Sequence, residues 1–387
     1  GGHDGTSATN TLLRTQILDP LAGPEVQDLD ASLGDGKKGL GKGLWFYRVS
    51  ALFPASDASN PSGESLAGEL LPVQLPDRDE KIWLTLTWST VPGASGYRVY
   101  RSPAAGASAD ALELVGEVGS GSTLSFTDKG ATSMASVTPL PAGSLGTWHA
   151  VDGARCNDSD CQLGTAREAL ATVAIANPAD ATQYFLYAFG GRDASGTYLD
   201  TYELATVHVA SDGSQTVDDW TAGSDTLSSP RAELGVWVMD RDDSSTIRNS
   251  GTPGDVWVFV GGGRTSAVAH DRGIEAGLLQ TDGTLGTFTA TDPLKGDLAG
   301  FGAGAANNQL YTFGGIAGAS DGTSASLCAG GGGCAALPDL QPGAFNALGS
   351  ATTQRIYGGS AQESAFFFLA GGHDGNNTLA TSEQTVQ

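Results

Sequence analysis

The feature that most constrains the fold is an apolar, aromatic-rich segment that stops at two or three glycines and returns several times. The complete copies span residues 184–191, 256–263, 310–315 and 365–372. A shorter copy, Gly1-Gly-His-Asp-Gly5, opens the chain and is spelled identically at 371–375. Recurrence at intervals of roughly 50 to 70 residues predicts an array of like units that stack on one another.

Each unit has the same internal order. Residues 231–239 alternate enough to predict a half-buried strand, and the strand that ends in the glycines follows. Glycine there permits a positive φ and close backbone approach, which suits a tight turn. A third strand such as 201–209 comes next, and an outer strand near Trp220 or at 285–288 completes the unit. Four short strands per unit predict a propeller blade.

These residues resemble a known family. The glycine turn at 189–191, the tyrosine of the third strand, Trp220 on the outer strand and the Pro230-Arg231 pair are similar to a kelch-type β-propeller. The resemblance covers 141–387 and, as a partial blade, 1–23. It implies an all-β, kelch-like propeller whose blade number stays open and whose two ends lie in mid-blade.

Two later units depart from the family pattern. Phe288 stands where the family would have tryptophan, and 327–342 contain no obvious outer strand. The residues therefore favour membership of the family over any particular number of blades.

A different type of sequence interrupts the first blade over 24–140. Its Leu-Thr-Trp88 strand, the following 96–101 strand and the Phe-Thr-Asp close at 126–128 resemble a fibronectin type III β-sandwich, which implies that Trp88 is a core residue. The 44–51 strand looks like a late strand of that module but comes early in the chain. Either a permuted sandwich or the end of one module and the start of another explains this order.

Composition and charge narrow the function classes. The 387 residues include 56 glycines, and the formal charge is −23. Such a charge disfavours nucleic acid and anionic membranes as partners, and suits a solvated exterior or cation binding. No apolar run is long enough for a membrane span, and no leader is visible, so we expect that any signal peptide has been removed.

The four cysteines form two local pairs, Cys156 with Cys161 and Cys328 with Cys334. Each pair encloses a short polar or glycine-rich loop, and an even number pairing locally predicts disulfides formed outside the cytoplasm. Free thiols are the alternative. The spacing does not match a Cys-x₂-Cys zinc site.

Metal and catalytic motifs are weak. The histidines are scattered, and no His-x-His or His-Glu-x-x-His spacing occurs. Kelch propellers beside immunoglobulin-like sandwiches occur in copper radical oxidases, but the predicted disulfides leave no cysteine for a copper ligand. We therefore name no catalytic residue, leave the metal unknown and require no cofactor.

Polar residues follow successive glycine turns and are predicted to share one rim. Oxygen-rich loops of this kind bind calcium in some proteins, although aspartate is also a good turn former. The candidate ligand-binding residues are His3, Asp4, Arg192, Asp193, Asp321, His373 and Asp374.

The leading hypothesis is an exported or cell-surface, non-enzymatic interaction protein that serves adhesion, ligand binding or extracellular assembly. Its partners would be proteins or carbohydrates at the cell surface. Strand complementation between copies would explain the unfinished blades, and so would a chain that is part of a longer polypeptide. The alternative is a propeller-based carbohydrate-active or oxidative enzyme with its site on the central axis.

Overall fold

The computed structural model is all-β and describes most of the chain. The described residues are 1–34, 38–158, 160–211, 213–240, 255–294, 296–306, 309–317, 324–329, 344–350, 357–363, 366–373 and 377–386. They divide into two compact units, 1–12 with 151–387, and 13–150, called unit 1 and unit 2. None of the helical segments within these ranges is long and apolar enough to cross a membrane.

The strands are short, as glycine-rich and Thr/Ser/Val-rich sequence predicts. Up to residue 150 they are β1 (Gly2–His3), β2 (Ala8–Thr9), β3 (Leu13–Arg14), β4 (Val26–Leu33), β5 (Gly43–Leu52), β6 (Leu71–Leu75), β7 (Ile82–Trp88), β8 (Gly96–Arg101), β9 (Glu113–Val118), β10 (Ser125–Asp128) and β11 (His149–Ala150). A 3-10 turn, Gly153–Arg155, precedes β12 (Ala171–Ala176), β13 (Gln183–Phe189), β14 (Tyr202–Val209), β15 (Gln215–Val217), β16 (Thr221–Ala222), β17 (Gly235–Asp240), β18 (Val256–Gly261), β19 (Ile274–Leu278) and β20 (Thr289–Ala290). The remainder are β21 (Leu298–Ala299), β22 (Gly302–Ala306), β23 (Gln309–Phe313), β24 (Ile316–Ala317), β25 (Ser324–Ala329), β26 (Ala344–Ser350), β27 (Gly359–Glu363), β28 (Phe366–Ala370) and β29 (Ser382–Val386).

Unit 1 repeats one antiparallel sheet. Strands β12 to β15 pair in sequence order, with β16 also on β14, and β17 to β20 do the same. The next sheet has the order β22-β23-β25-β26, and the last has the order β27-β28-β29. The first strands of successive sheets contact one another, β12 with β17, β17 with β22 and β22 with β27. The repeat that the sequence predicts is therefore a repeat of sheets.

The glycine pairs have one backbone conformation. In each pair, both φ angles are positive: 57° and 94° at Gly190 and Gly191, 63° and 91° at Gly262 and Gly263, and 65° and 88° at Gly371 and Gly372. The pair at 314–315 has φ angles of 65° and 93°. Side chains are strained at such angles, most of all near 90°, which favours glycine at each turn.

A ladder of main-chain hydrogen bonds joins the four sheets. Just before each first strand, one residue has a positive φ: Ala169 at 52°, Glu233 at 58°, Gly300 at 63° and Tyr357 at 56°. The last three each donate their N–H to the carbonyl of the equivalent residue in the preceding sheet, Glu233 to Ala169 at 2.7 Å, Gly300 to Glu233 at 2.8 Å and Tyr357 to Gly300 at 2.8 Å. The corresponding ends of the sheets are therefore brought together.

Unit 2 contains two antiparallel sheets with the orders β10-β7-β4 and β6-β5-β8-β9. One hydrophobic cluster draws on both: Leu84 and Trp88 come from the first sheet, and Tyr47, Val49 and Tyr97 from the second. Trp88 is buried and lies 5.3 Å from Tyr97 between ring centroids. The two sheets therefore share one core.

Some details differ from the sequence-based expectations. Unit 2 runs from Leu13 to Ala150 and so extends beyond 24–140 on both sides, because β3 pairs with β11 across its two ends. Strand β26 supplies a fourth strand to the third sheet just after 327–342, where no outer strand is obvious in the sequence.

Candidate ligand-binding rim

A buried ion pair fixes the glycine turn in each of the first two complete sheets of unit 1. Arg167 Nη2 lies 2.6 Å from Glu203 Oε1, and its Nη1 donates to the carbonyl of Gly190 at 2.9 Å. Glu203 also accepts the N–H groups of Gly164 and Thr165. A charge this deeply buried is tolerated only when it is paired and hydrogen-bonded. The pair therefore ties the turn, the third strand and the incoming segment together.

The second sheet repeats this arrangement. Arg231 Nη2 lies 3.2 Å from Glu275 Oε1 and 3.1 Å from Asp271 Oδ2, and its Nη1 donates to the carbonyl of Gly262 at 3.3 Å. Glu275 in turn accepts the N–H and the hydroxyl of Ser228. The same residue types thus hold the second turn.

The candidate rim begins with Arg192 and His3, which each follow a glycine pair and share one carboxylate. Arg192 Nη2 lies 3.0 Å from Glu168 Oε1, and His3 Nε2 lies 3.6 Å from Glu168 Oε2. The Arg192 guanidinium also lies 6.0 Å from the centre of the Tyr198 ring. Two of the predicted rim residues, His3 and Arg192, are thus brought together by a carboxylate that was not predicted.

A second cluster of the same kind follows the next glycine pair. Arg264 Nε lies 2.7 Å from Glu233 Oε2, and the Tyr357 hydroxyl donates to the same oxygen at 3.1 Å. Burial and the Glu233 carboxylate raise the pKa of Tyr357. Burial, followed by the positive charge of Arg264, lowers the pKa of His270, which pairs with Arg264 through the backbone. The rim therefore offers arginine, carboxylate, hydroxyl and imidazole groups.

The two predicted aspartates that the structure describes act as turn formers. Asp193 Oδ1 accepts the hydroxyl and N–H of Ser195 at 2.6 and 2.8 Å and the N–H of Thr197 at 2.9 Å. Asp4 Oδ1 accepts the N–H groups of Thr6 and Ser7. The Ser195 hydroxyl, then the Thr197 N–H, lowers the pKa of Asp193, and the Ser7 and Thr6 N–H groups lower that of Asp4.

The remaining predicted rim residues are His373, Asp321 and Asp374, and the structure describes only the first of them. His373 follows the last glycine pair and forms a bridge with Thr378, while Asp321 and Asp374 lie outside the described residues. Within the described ranges, no three His, Cys, Asp or Glu side chains meet in a way that could hold a metal ion. Calcium binding stays a prediction.

One of the two predicted disulfides is present. Cys156 and Cys161 are bonded, and both belong to a small hydrophobic cluster with Val151 and Val217. The bond closes the 156–161 loop, and the cluster packs this loop against Val217 of β15. Cys328 lies on β25, but Cys334 is outside the described residues.

Glu168, Glu233, Arg264 and Tyr357 were missed from sequence. Arg264 carried a visible signal because it follows a glycine pair, as Arg192 does. The two glutamates differ by one position within Arg-Glu-Ala-Leu170 and Arg-Ala-Glu-Leu234, which hid their shared location. Tyr357 is far from Glu233 in the sequence, and the ladder between the sheets brings the two residues together.

Comparison of the chain with protein-family models gives no match. Comparison with the curated proteins gives no significant match either. These two comparisons assign the chain to no family.

Proposed function

We propose that this protein is an exported or cell-surface interaction protein without enzymatic activity, and that it binds a protein or carbohydrate partner at the rim. The observation that carries the proposal is the ladder from Ala169 to Tyr357, because it gathers loops from several sheets at one end of unit 1. Rigid sheets that present loops are a common basis for binding.

A kelch-like propeller for unit 1 has support from the repeated sheets. The four glycine pairs share one conformation, the first strands contact in succession, and each buried arginine contacts the glycine turn of its own sheet. These features are those expected of blades set around an axis.

A fibronectin-like sandwich for unit 2 has support from strand order. The early strand β5 pairs with both β6 and β8 in one sheet, and that sheet shares its core with the β4-β7-β10 sheet. A permuted single module accounts for this pairing better than two module fragments. Export has support from the Cys156–Cys161 disulfide, because disulfides persist in oxidising compartments.

Binding assays with rim variants test the proposal. The protein is applied to immobilised neutral and acidic oligosaccharides and to extracellular matrix proteins such as collagen. Arg192→Gln is compared with Arg155→Gln, a variant in the 3-10 turn away from the glycine pairs. We expect the first to weaken binding about tenfold, the loss of roughly one charged hydrogen bond, and the second to leave it unchanged.

Equal binding by both variants, or no binding to any of these probes, would contradict the proposal. The enzymatic alternative is assayed on the same oligosaccharides by product analysis, with and without added copper. Turnover that depends on rim residues would replace the proposed function with that alternative.

A further inference from the structure

The last sheet of unit 1 exposes an aromatic position that the earlier sheets bury. Three residues before each glycine pair stand Tyr187, Phe259, Tyr311 and Phe368. The first two are fully buried and Tyr311 is 5% exposed, whereas Phe368 is 37% exposed. Phe366, equivalent to the buried Phe185, is 42% exposed. The last sheet therefore differs from its equivalents in what covers it.

The following sheet is what covers this position elsewhere. Tyr187 belongs to a cluster with Val258 and Val260 of the next sheet, and Phe259 to a cluster with Phe301 and Leu310 of the sheet after that. The Phe366 and Phe368 rings stack on each other at 6.4 Å, as Tyr187 and Phe189 do at 5.8 Å. The exposed face thus has the form of a sheet-packing face.

Two main-chain groups of this last sheet also have no hydrogen-bond partner among the described residues. The carbonyls of Ala169, Glu233 and Gly300 each accept the N–H of the next ladder residue, but the Tyr357 carbonyl accepts no hydrogen bond from the described chain. The N–H groups of Gly191 and Gly263 donate to the main-chain carbonyls of Arg231 and Leu298, at the start of the following sheet.

The N–H of Gly372, the equivalent of Gly191, has no such acceptor within the described ranges. A sheet that packs here would have to supply an acceptor for the Gly372 N–H and a donor for the Tyr357 carbonyl. An apolar face and these two groups together specify an occupant of the same repeat type.

The other end of the ladder has the complementary groups. The Ala169 N–H makes no hydrogen bond to any described residue, and the Arg167 carbonyl accepts the N–H of Gly2 at 2.8 Å. Gly2 thus makes the contact that Gly191 and Gly263 make in the later sheets. Residues 1–5 and 371–375 have the same sequence, so the second segment offers the same groups to this site as the first.

We propose that a second copy of this chain packs on the exposed face of β28, an inference that rests on the proposed repeat of like sheets. Gly371 and Gly372 of one copy take the place of Gly1 and Gly2 in the other. The Gly372 N–H then donates to the Arg167 carbonyl, and the Ala169 N–H to the Tyr357 carbonyl. Because donor and acceptor lie at opposite ends, the contact is head to tail and extends into filaments unless it closes.

Light scattering over a wide range of protein concentration tests the proposal. We expect the mass of the unmodified protein to rise with concentration. The double variant Phe366→Asp, Phe368→Asp should assemble at least about tenfold more weakly, because two apolar side chains are no longer buried. Tyr184→Asp is the matched control, since Tyr184 precedes Phe185 on β13 and is 41% exposed. A monomer at every concentration, or equal assembly by all three proteins, would overturn the proposal.

Hydrogen exchange of residues 366–370 in the unmodified protein provides a test that survives misfolding of the double variant. Protection that rises with concentration supports the second copy. Protection that is constant in a monomer shows closure within one chain and contradicts it. A monomer that still binds a probe through Arg192 would overturn this inference alone, whereas an assembly that binds none of the probes, or binds them equally after Arg192→Gln, would overturn only the proposed function.

Discussion

At the scale of single residues, the buried Arg167–Glu203 pair makes the stability of unit 1 sensitive to the loss of either charge. Glu203→Gln should lower the free energy of unfolding by about 3–5 kcal/mol, because it leaves the Arg167 guanidinium buried without its counter-ion. Urea unfolding followed by circular dichroism measures the loss. Asp77→Asn is the control, because its partner Lys42 is exposed and such pairs contribute at most about 1 kcal/mol. Equal losses in the two variants would contradict this reading.

The imidazole of His270 gives a prediction about pH. Its folded pKa lies below its ordinary value, so the unfolded chain binds a proton more readily than the folded chain does. Folding stability should therefore fall as the pH drops from about 7 through the ordinary histidine pKa of about 6.5. The groups that act on His270 are Arg264, Glu233 and Asp297, and Arg264 favours the neutral ring.

Thermal unfolding of the unmodified protein and of His270→Gln between pH 7.5 and 5.5 checks this prediction. The variant should lose less stability across that window, since the glutamine does not titrate. Identical pH profiles for the unmodified protein and His270→Gln would show that other groups cause any decline.

At the scale of elements, the glycine turn is where backbone conformation and space both exclude side chains. Gly191 has a φ of +94°, and a Cβ there would lie 2.6 Å from the Glu168 carbonyl oxygen. Gly196 has a φ of +83° but open space around a Cβ. Gly196→Ala should therefore cost about 1–2 kcal/mol of unfolding free energy, and Gly191→Ala clearly more. Chemical denaturation of both variants compares them, and equal costs would mean that crowding at the turn is unimportant.

Much at this scale could be predicted from sequence. The aromatic strands ending in glycine, the third strand with Tyr202 and the Cys156–Cys161 bond all follow from local patterns. Strand β26 could not be predicted, because its Ala-Phe-Asn-Ala-Leu-Gly-Ser350 sequence lacks a strong alternating pattern. The rim was predicted only in part, since Glu168 and Glu233 reach it through tertiary contacts between segments far apart in the chain.

At the scale of the whole molecule, the two units have separate cores, and each should respond to its own mutations. Asp128 is fully buried and lies 2.6 Å from Arg101 Nη1, and its Oδ2 accepts the hydroxyl of Tyr47 at 2.8 Å. Asp128→Asn should destabilise unit 2 by about 3–5 kcal/mol. Hydrogen exchange should then rise in β5, β7 and β8, while β13 and β18 keep their protection. Loss of protection in both units would show that they unfold together.

The ladder between the sheets is built only from main-chain atoms, and this has a consequence for engineering. Its four positions hold alanine, glutamate, glycine and tyrosine, so the register between neighbours does not depend on any particular side chain. Substitution of these positions by asparagine or aspartate, which tolerate the left-handed backbone conformation, should therefore change the side chains at this end of the unit while the main-chain ladder is kept.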